Sequence, residues 1–313
     1  MAAKIYLVVY AIIMLQLSLV PHICQSKPID SPFGFLNSLE GSTKGQENVD
    51  GLHQLKSYLA KFGYLENQVV FENDNLFDEK LEKAIKTYQR NYKLSVTGHL
   101  DGATITQMMK PRCGCPDIMN GRNSKRNKDE TSIYKNRKSR NGTSLYVLGN
   151  TKWPPSKYNL TYKILSKTLV PGTFNMKHLV EESLKQWVEF SPFTFSEGTD
   201  GSKTDLVFGV ARWNRGDGKP FDGPGGVLAL SCFPTGGWSS YDATEKWSDD
   251  IDDTKPDQFD LYSVVLHEIG HLLGVAHSKD PTAVMFPTFG FGQKRQKLQP
   301  DDVQGIQALY RPN

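Results

Sequence analysis

The stretch from His267 to His277 reads His-Glu-Ile-Gly-His-Leu-Leu-Gly-Val-Ala-His. Residues four apart on a helix share a face, so His267 and His271 aim their imidazoles at one point. Gly274 has no Cβ and lets the chain leave the helix sharply, which brings His277 back as a third nitrogen. Three neutral imidazoles suit zinc and leave one tetrahedral position open, the arrangement of a catalytic rather than a structural site. Glu268 sits beside the first imidazole and reaches a zinc-bound water. It takes the proton as water attacks a peptide carbonyl and returns it to the leaving amine, while zinc lowers the water's pKa toward ~7 and polarises the carbonyl. With seven histidines in the chain, roughly one such sequence in a hundred thousand would carry this pattern by accident. The other histidines, His22, His53, His99 and His178, have no such spacing and read as ordinary surface or core residues.

A helix must carry this motif, and the periodicity predicts one from about Leu261 to Leu273. Before it come β-like runs at Leu160–Leu165 and Leu206–Val210. Between those runs lies an amphipathic helix, Met176 to Phe190, with Met176, Leu179, Val180, Leu184, Trp187 and Val188 turned inward. A last helix is expected from Asp301 to Tyr310. Strands and segregated helices of this kind predict an α+β domain over residues 141–313. The N-terminal half is different. Leu52, Leu55, Tyr58, Leu59 and Phe62 repeat at helical spacing up to Gly63, Phe77-Asp78 opens a second helix, and Asp101 caps a third that ends before Pro111. Residues 50–110 therefore read as a small three-helix domain, and the polar stretch 27–50 as a loose leader. Residues 120–140 are basic and almost free of apolar side chains, a composition that cannot offset the entropy of ordering. They predict a flexible linker, and Arg137-Lys138-Ser139-Arg140 within it predicts a processing site.

Lys4 followed by the apolar run Ile5–Val20, Pro21 and the small or polar Cys24-Gln25-Ser26 has the layout of a secretory signal peptide, residues 1–26. No other stretch is long and apolar enough to span a bilayer. The sequons Asn141-Gly142-Thr143 and Asn159-Leu160-Thr161 predict glycosylation at Asn141 and Asn159. Beyond the leader only Cys113, Cys115 and Cys232 remain, so the fold rests on its core rather than on disulfides. A net charge of +3 over 313 residues gives no reason to expect nucleic acid. The expected product is a secreted, extracellular monomer without a membrane anchor.

The three-histidine motif resembles that of the metzincin metalloproteases. Val284-Met285-Phe286-Pro287 is similar to their methionine turn, with Met285 beneath the metal, and Ser278 after the third histidine points to the matrixins, the matrix metalloproteinase family. Further resemblances span nearly the whole chain. Lys152-Trp153 with Leu160-Thr161-Tyr162 resembles the first strand of the catalytic domain, residues 221–229 its calcium loop, and Asp301–Gln307 its final helix. No propeller (hemopexin-like) domain follows, as in the short matrixins, including those of plants. The resemblance implies a metzincin-like catalytic domain with a twisted mixed sheet and three helices. It implies a helical prodomain, residues 27–119, resembling peptidoglycan-binding modules. Pro111-Arg112-Cys113-Gly114-Cys115-Pro116-Asp117 resembles the matrixin cysteine switch. By that resemblance Cys113 is a thiolate fourth ligand to zinc in a latent proenzyme, Arg112 and Asp117 hold the segment by an ion pair, and cleavage near Arg140 frees the site. Phe286-Pro287-Thr288-Phe289 resembles the wall of the pocket for the residue after the scissile bond.

The departures are informative. Matrixins hold a second, structural zinc with three histidines and an aspartate. Asp217 is kept here, but Arg215, Leu230 and Ser240 occupy the histidine positions, so this zinc is expected to be absent. A calcium ion is expected from the carboxylates of Asp222, Asp242 and Glu245 with backbone oxygens near Gly223, Gly225 and Val227. Trp238 stands where another calcium ligand is expected. Cys115 replaces a residue that is usually apolar or small, and competes with Cys113 for zinc or bonds to it. The implied function is a zinc-dependent endopeptidase cleaving proteins or peptides of the extracellular matrix or cell wall after activation by another protease. The competing reading is a secreted binding or regulatory protein whose activity fell with the structural zinc. Retention of Glu268 and three ligands weighs against it.

Overall fold

The computed structural model of the protein describes residues 31–66, 76–119, 122–123, 147–149, 151–165, 170–199, 203–212 and 220–310. The leader 1–26, Asn141, Arg215 and Asp217 lie outside them. Of the segment 120–140 only Arg122–Asn123 is described, paired antiparallel with Ile118–Met119.

Helices α1 (Leu52–Lys61), α2 (Glu79–Asn91) and α3 (Gly102–Met108) form the N-terminal unit. Two of them start at an aspartate that satisfies an otherwise unpaired amide. Asp78 accepts from Leu81 N at 2.8 Å, and Asp101 accepts from Thr104 N at 2.8 Å. Leu55, Leu59, Leu81, Ile85, Tyr88, Ile105 and Met108 close one core. The stretch expected to be a loose leader contributes to it. Gly34–Leu39 forms a short 3-10 helix whose Leu36 and Leu39, three apart, are buried with Phe33. Three-residue periodicity over two turns is too short to register as a helix among Ser, Gly and Asn.

The C-terminal unit is built on a mixed sheet, and the fold is α+β. Its strands are β1 (Arg112–Cys113), β2 (Asn159–Leu165), β3 (Thr194–Glu197), β4 (Leu206–Ala211), β5 (Val227–Ser231) and β6 (Trp238–Asp242), in the spatial order β1-β5-β6-β4-β2-β3. β2, β3, β4 and β6 run parallel, β5 runs antiparallel to β6, and β1 lies parallel to β5 at the edge. β1 comes from the end of the N-terminal unit, so one strand ties the two cores together. Val227 of β5 is buried in the N-terminal core, which also takes Phe221 against its side.

Helices α4 (Met176–Glu189) and α5 (Leu261–Leu272) pack against each other beside the sheet, and α6 (Pro300–Tyr310) closes the end. Every residue of α5 is buried. A helix covered on all sides needs anchors for its flanks, and two indoles supply them: Trp187 Nε1 donates to Leu266 O at 3.0 Å and Trp153 Nε1 to Leu272 O at 2.9 Å. α4 buries Met176, Leu179, Val180, Leu184 and Trp187 as expected, but Val188 is 38% exposed. It follows Trp187 by one helical step of 100°, which carries it off the buried stripe.

α5 ends at Leu272 because Gly274 takes φ +96°, and a Cβ there would stand 2.8 Å from Thr151 O. Gly270 is held for a different reason: a Cβ would lie 2.3 Å from Met285 Sδ and 2.9 Å from Trp187 Cζ2. Gly270→Ala is therefore expected to overpack this contact and destabilise the protein by about 1–3 kcal/mol. Thermal unfolding measures it, and a melting temperature equal to wild type would contradict the contact.

Candidate metal centre

His267 and His271 project from one face of α5, and His277 returns after the turn at Gly274. Each ring uses its Nδ1 on a neighbour. His267 Nδ1 lies 2.7 Å from Val284 O, His271 Nδ1 2.8 Å from Val275 O and His277 Nδ1 2.7 Å from Asp117 Oδ1. These partners are acceptors, so each Nδ1 carries the proton and each Nε2 is left with a lone pair. The Nε2 atoms of His267 and His277 are buried with no hydrogen-bond partner, and that of His271 faces Cys113 Sγ at 3.5 Å. Ligand atoms of Cys113, His267, His271 and His277 all lie within 4.8 Å of one another, and all four residues are buried. Buried polar atoms without partners are rare and call for a missing one. Three nitrogens and a sulfur converging on one point fit a tetrahedral zinc.

Electrostatics point the same way. Burial, reinforced by the other two imidazoles, holds His267 well below the ordinary range. Burial takes His277 down to about 3. Both rings are thus neutral and able to ligate. His271 moves the other way, to about 9: burial lowers it, but the neighbouring Cys115 and Glu268 charges outweigh burial. The negative field that favours a proton on His271 also favours a cation. Glu268 is fully buried, neither of its oxygens has a hydrogen-bond partner, and burial together with Cys115 raises its pKa to about 7.

The wall below the centre carries the expected Met285 and Phe289, and it is held by Asp302 and Arg295, which the sequence pattern did not single out. Met285 is buried against Gly270. Asp302, at the start of α6, accepts from Val284 N at 2.9 Å and Met285 N at 3.0 Å. That fixes the carbonyl on which His267 depends. Arg295 donates to the carbonyls of Ala283, Phe286 and Thr288 and lies over the Phe289 ring, 4.5 Å from its centroid. The Phe289 ring stands 5.2 Å from that of His267. Asp302 sits in an acidic pair that reads only as a helix start, and no local signal shows that it reaches back 18 residues.

Residues 111–114 fill the cleft between β5 and this wall, hydrogen-bonded on both sides. Arg112 N donates to Gly226 O at 2.9 Å and Gly114 N to Ala229 O at 2.8 Å. On the other side, Cys113 N donates to Pro287 O at 2.9 Å and Phe289 N to Pro111 O at 2.8 Å. The Arg112–Asp117 ion pair spans 3.0 Å, and both side chains are buried. The Arg112 guanidinium lies 3.5 Å from the centroid of Phe62, while Tyr64 and Tyr92 donate to Asp117 at 2.7 and 3.1 Å. Cys115 is a free thiol, as is Cys113. Its N–H donates to Cys113 Sγ at 3.3 Å, and its own Sγ turns to Ser231 O at 3.2 Å, within 4.8 Å of ligand atoms of Glu268 and His271.

At the expected calcium loop, Glu245 Oε1 accepts from Gly225 N at 2.8 Å and Asp222 Oδ1 from Val227 N at 2.8 Å. Burial raises Asp242, and burial with the neighbouring Asp242 and Asp222 charges takes Glu245 to about 8. Asp242 Oδ2 is buried without a partner. Repelling, desolvated carboxylates of this kind suit a hard cation. The three do not, however, bring their oxygens together within 4.8 Å as the histidines and Cys113 do. Gly223 lies in the same loop, and Asn159 is exposed at the start of β2. At the second-zinc positions, Leu230 and Ser240 face each other in register across β5 and β6.

Comparison with known proteins gives the same outline. Residues 152–311 match the matrixin family of M10 peptidases, and residues 48–108 match a peptidoglycan binding domain family. The chain is 36% identical over 275 residues to metalloendoproteinase 5-MMP of Arabidopsis thaliana, covering 85% of this chain and 73% of that protein. It is 37% identical over 270 residues to metalloendoproteinase 1 of Glycine max, covering 85% and 84%. Stromelysin-1 of Rattus norvegicus is 34% identical over 273 residues, covering 86% of this chain and 51% of the rat protein.

Burial raises the Asp302 carboxyl to about 6 from its ordinary 3.8 despite three backbone donors. The folded state thus binds this proton more tightly than the unfolded chain does. The associated stability is full below pH about 4 and lost as pH rises through about 6, on the order of 3 kcal/mol in all. Asp302→Asn removes that dependence. Denaturant titrations from pH 4 to 7 should show the difference between wild type and variant changing across this window. A constant difference would contradict it.

Proposed function

The chain belongs to the matrixin family and is a zinc metalloendopeptidase acting on proteins, and from that premise we propose that it is secreted as a latent proenzyme. In this reading residues 1–26 are the signal peptide, 27–119 the prodomain, 120–140 a linker carrying the processing site, and 141–313 the catalytic domain. His267, His271 and His277 hold the zinc, Glu268 is the catalytic base, and Cys113 is the inhibitory fourth ligand. One observation carries it: residues 111–114 lie in the cleft as an extended strand with the Cys113 sulfur against the convergent imidazoles.

Zinc, when bound, supplies the Lewis acid that polarises the scissile carbonyl and lowers the pKa of water toward ~7. The chain supplies the rest. With residues 111–114 withdrawn, the carbonyls of Gly226 and Ala229 on one side and of Pro287 on the other are free to pair with an extended substrate backbone, as in strand addition to a sheet edge. Glu268, next to the first imidazole and buried with neither carboxylate oxygen partnered, is placed to take a proton from water and deliver it to the leaving amine. Phe289 gives the adjoining pocket an apolar wall, with the Arg295 charge held behind it on carbonyls. Burial of the Arg112–Asp117 pair makes the latent state hard to loosen, because separating the pair strands a charge in a dry site.

Asp222, Asp242 and Glu245 bind calcium in this reading, with backbone oxygens near Gly223, Gly225 and Val227. A second zinc is excluded by Leu230, Ser240 and Arg215, which cannot replace imidazole ligands. The exposed Asn159 accepts a glycan, as does Asn141. The processed enzyme is an extracellular monomer, in the matrix or apoplast, freed by another protease.

The activated enzyme is expected to cleave a generic peptide, to stop on chelation of zinc, and to lose about 10²- to 10⁴-fold in kcat in Glu268→Ala. Chelator-insensitive turnover, or unchanged turnover by the variant, would sink the mechanism. Elemental analysis of the processed chain should find one zinc; two would refute the missing second site.

A further inference from the structure

The three imidazoles are not held alike. His267 and His271 give their Nδ1 protons to Val284 O and Val275 O, carbonyls of the unit that carries them. His277 gives its proton to Asp117, a carboxylate 160 residues away in the segment that fills the cleft, at 2.7 Å and with both side chains fully buried. Among the described residues, no acceptor of the C-terminal unit is hydrogen-bonded to His277 Nδ1. Asp117 itself is immobilised by Arg112, Tyr64 and Tyr92. A carboxylate on the outer N–H of a metal-binding imidazole fixes the ring's tautomer and orientation and makes its other nitrogen a stronger ligand. A neutral carbonyl does this less strongly, since hydrogen bonds to an ionised acceptor are roughly twice as strong.

We propose that Asp117 is a positioning residue for the zinc centre that works only while the N-terminal unit is attached. It orients His277 and tightens that ligand's hold on the metal. The same carboxylate that anchors the inhibitory segment through Arg112 thus makes the proenzyme the form that acquires and retains zinc, and processing removes both effects together. The inference rests on the reading of His277 as a zinc ligand and of residues 27–119 as the part removed.

The test uses the zinc-loaded full chain carrying Glu268→Gln, so that it cannot process itself, with 15N-labelled histidine. Three protected imidazole Nδ1–H signals are expected at the centre in the proenzyme and two after the N-terminal unit is cleaved away by an added protease. This readout needs no change at Asp117. In the same background, Asp117→Asn should speed zinc transfer to a chromophoric chelator by about 10- to 100-fold. Arg112→Met leaves the carboxylate on His277 and should speed it much less. An equal number of protected signals before and after processing would overturn the inference, as would equal acceleration by the two variants, which would mean that Asp117 acts through Arg112 alone. A full chain that takes up no zinc would instead overturn the assignment of the ligands.

Discussion

The three imidazoles at the centre of this protein each spend one nitrogen on an acceptor so that the other can face a common point. That constraint organises the structure around it. Lone pairs crowded together in a fully buried site repel one another, and partnerless polar atoms are costly away from water. A cation at the centre would offset that cost, provided that the rings cannot turn away. Two of the acceptors are carbonyls at positions where the backbone bends: Val275 just past the turn at Gly274, and Val284 beside Met285. The first turn exists because Gly274 takes a left-handed conformation. The second is held by Asp302, which brings two consecutive amides to its carboxylate. The close approach of Met285 and Trp187 to Gly270 then seats the helix against this loop.

The cleft above the centre has the shape of a missing strand. β5 offers carbonyls along one side and residues 287–289 offer polar backbone along the other, so whatever lies between must be extended. In this structure residues 111–114 supply that strand, parallel to β5. Backbone pairing of this kind is indifferent to sequence, so identity comes from side chains. Cys113 brings sulfur to the imidazoles, and Arg112 buries a guanidinium against Phe62 and Asp117. A buried ion pair contributes little net stability of its own, but it penalises any arrangement that separates the partners. Here the partners lie five residues apart on either side of the sulfur, so the pair enforces one conformation of the loop that presents it.

Much of this was legible in the chain itself. Helical starts at Asp78 and Asp101, the helix over residues 261–272, and the α+β character of the C-terminal unit follow from capping residues and periodicity, and the structure has them where they were expected. The misses have separate local causes. Phe33, Leu36 and Leu39 are buried although their surroundings look like a loose leader, because a six-residue 3-10 helix is too short to leave a periodic trace. The periodicity places Val188 on the inward face of its helix, but it lies outside that face, one residue beyond the point where the buried stripe ends.

The spacing of His267, Glu268 and His271, with Gly274 before His277, determined by itself that three imidazoles and a carboxylate would meet, because helix geometry and a glycine turn are local and act wherever those residues occur. The resemblance of the motif around Cys113 to a cysteine switch, rather than local geometry, implied a sulfur directed at that point. Only the tertiary structure decided what holds each ring: Asp302 reaching back to Val284 and Met285, and Asp117 reaching across 160 residues to His277. Such partners depend on how separate elements pack. A side chain's type reveals what it can bond to, but the partner it meets is set by the whole fold.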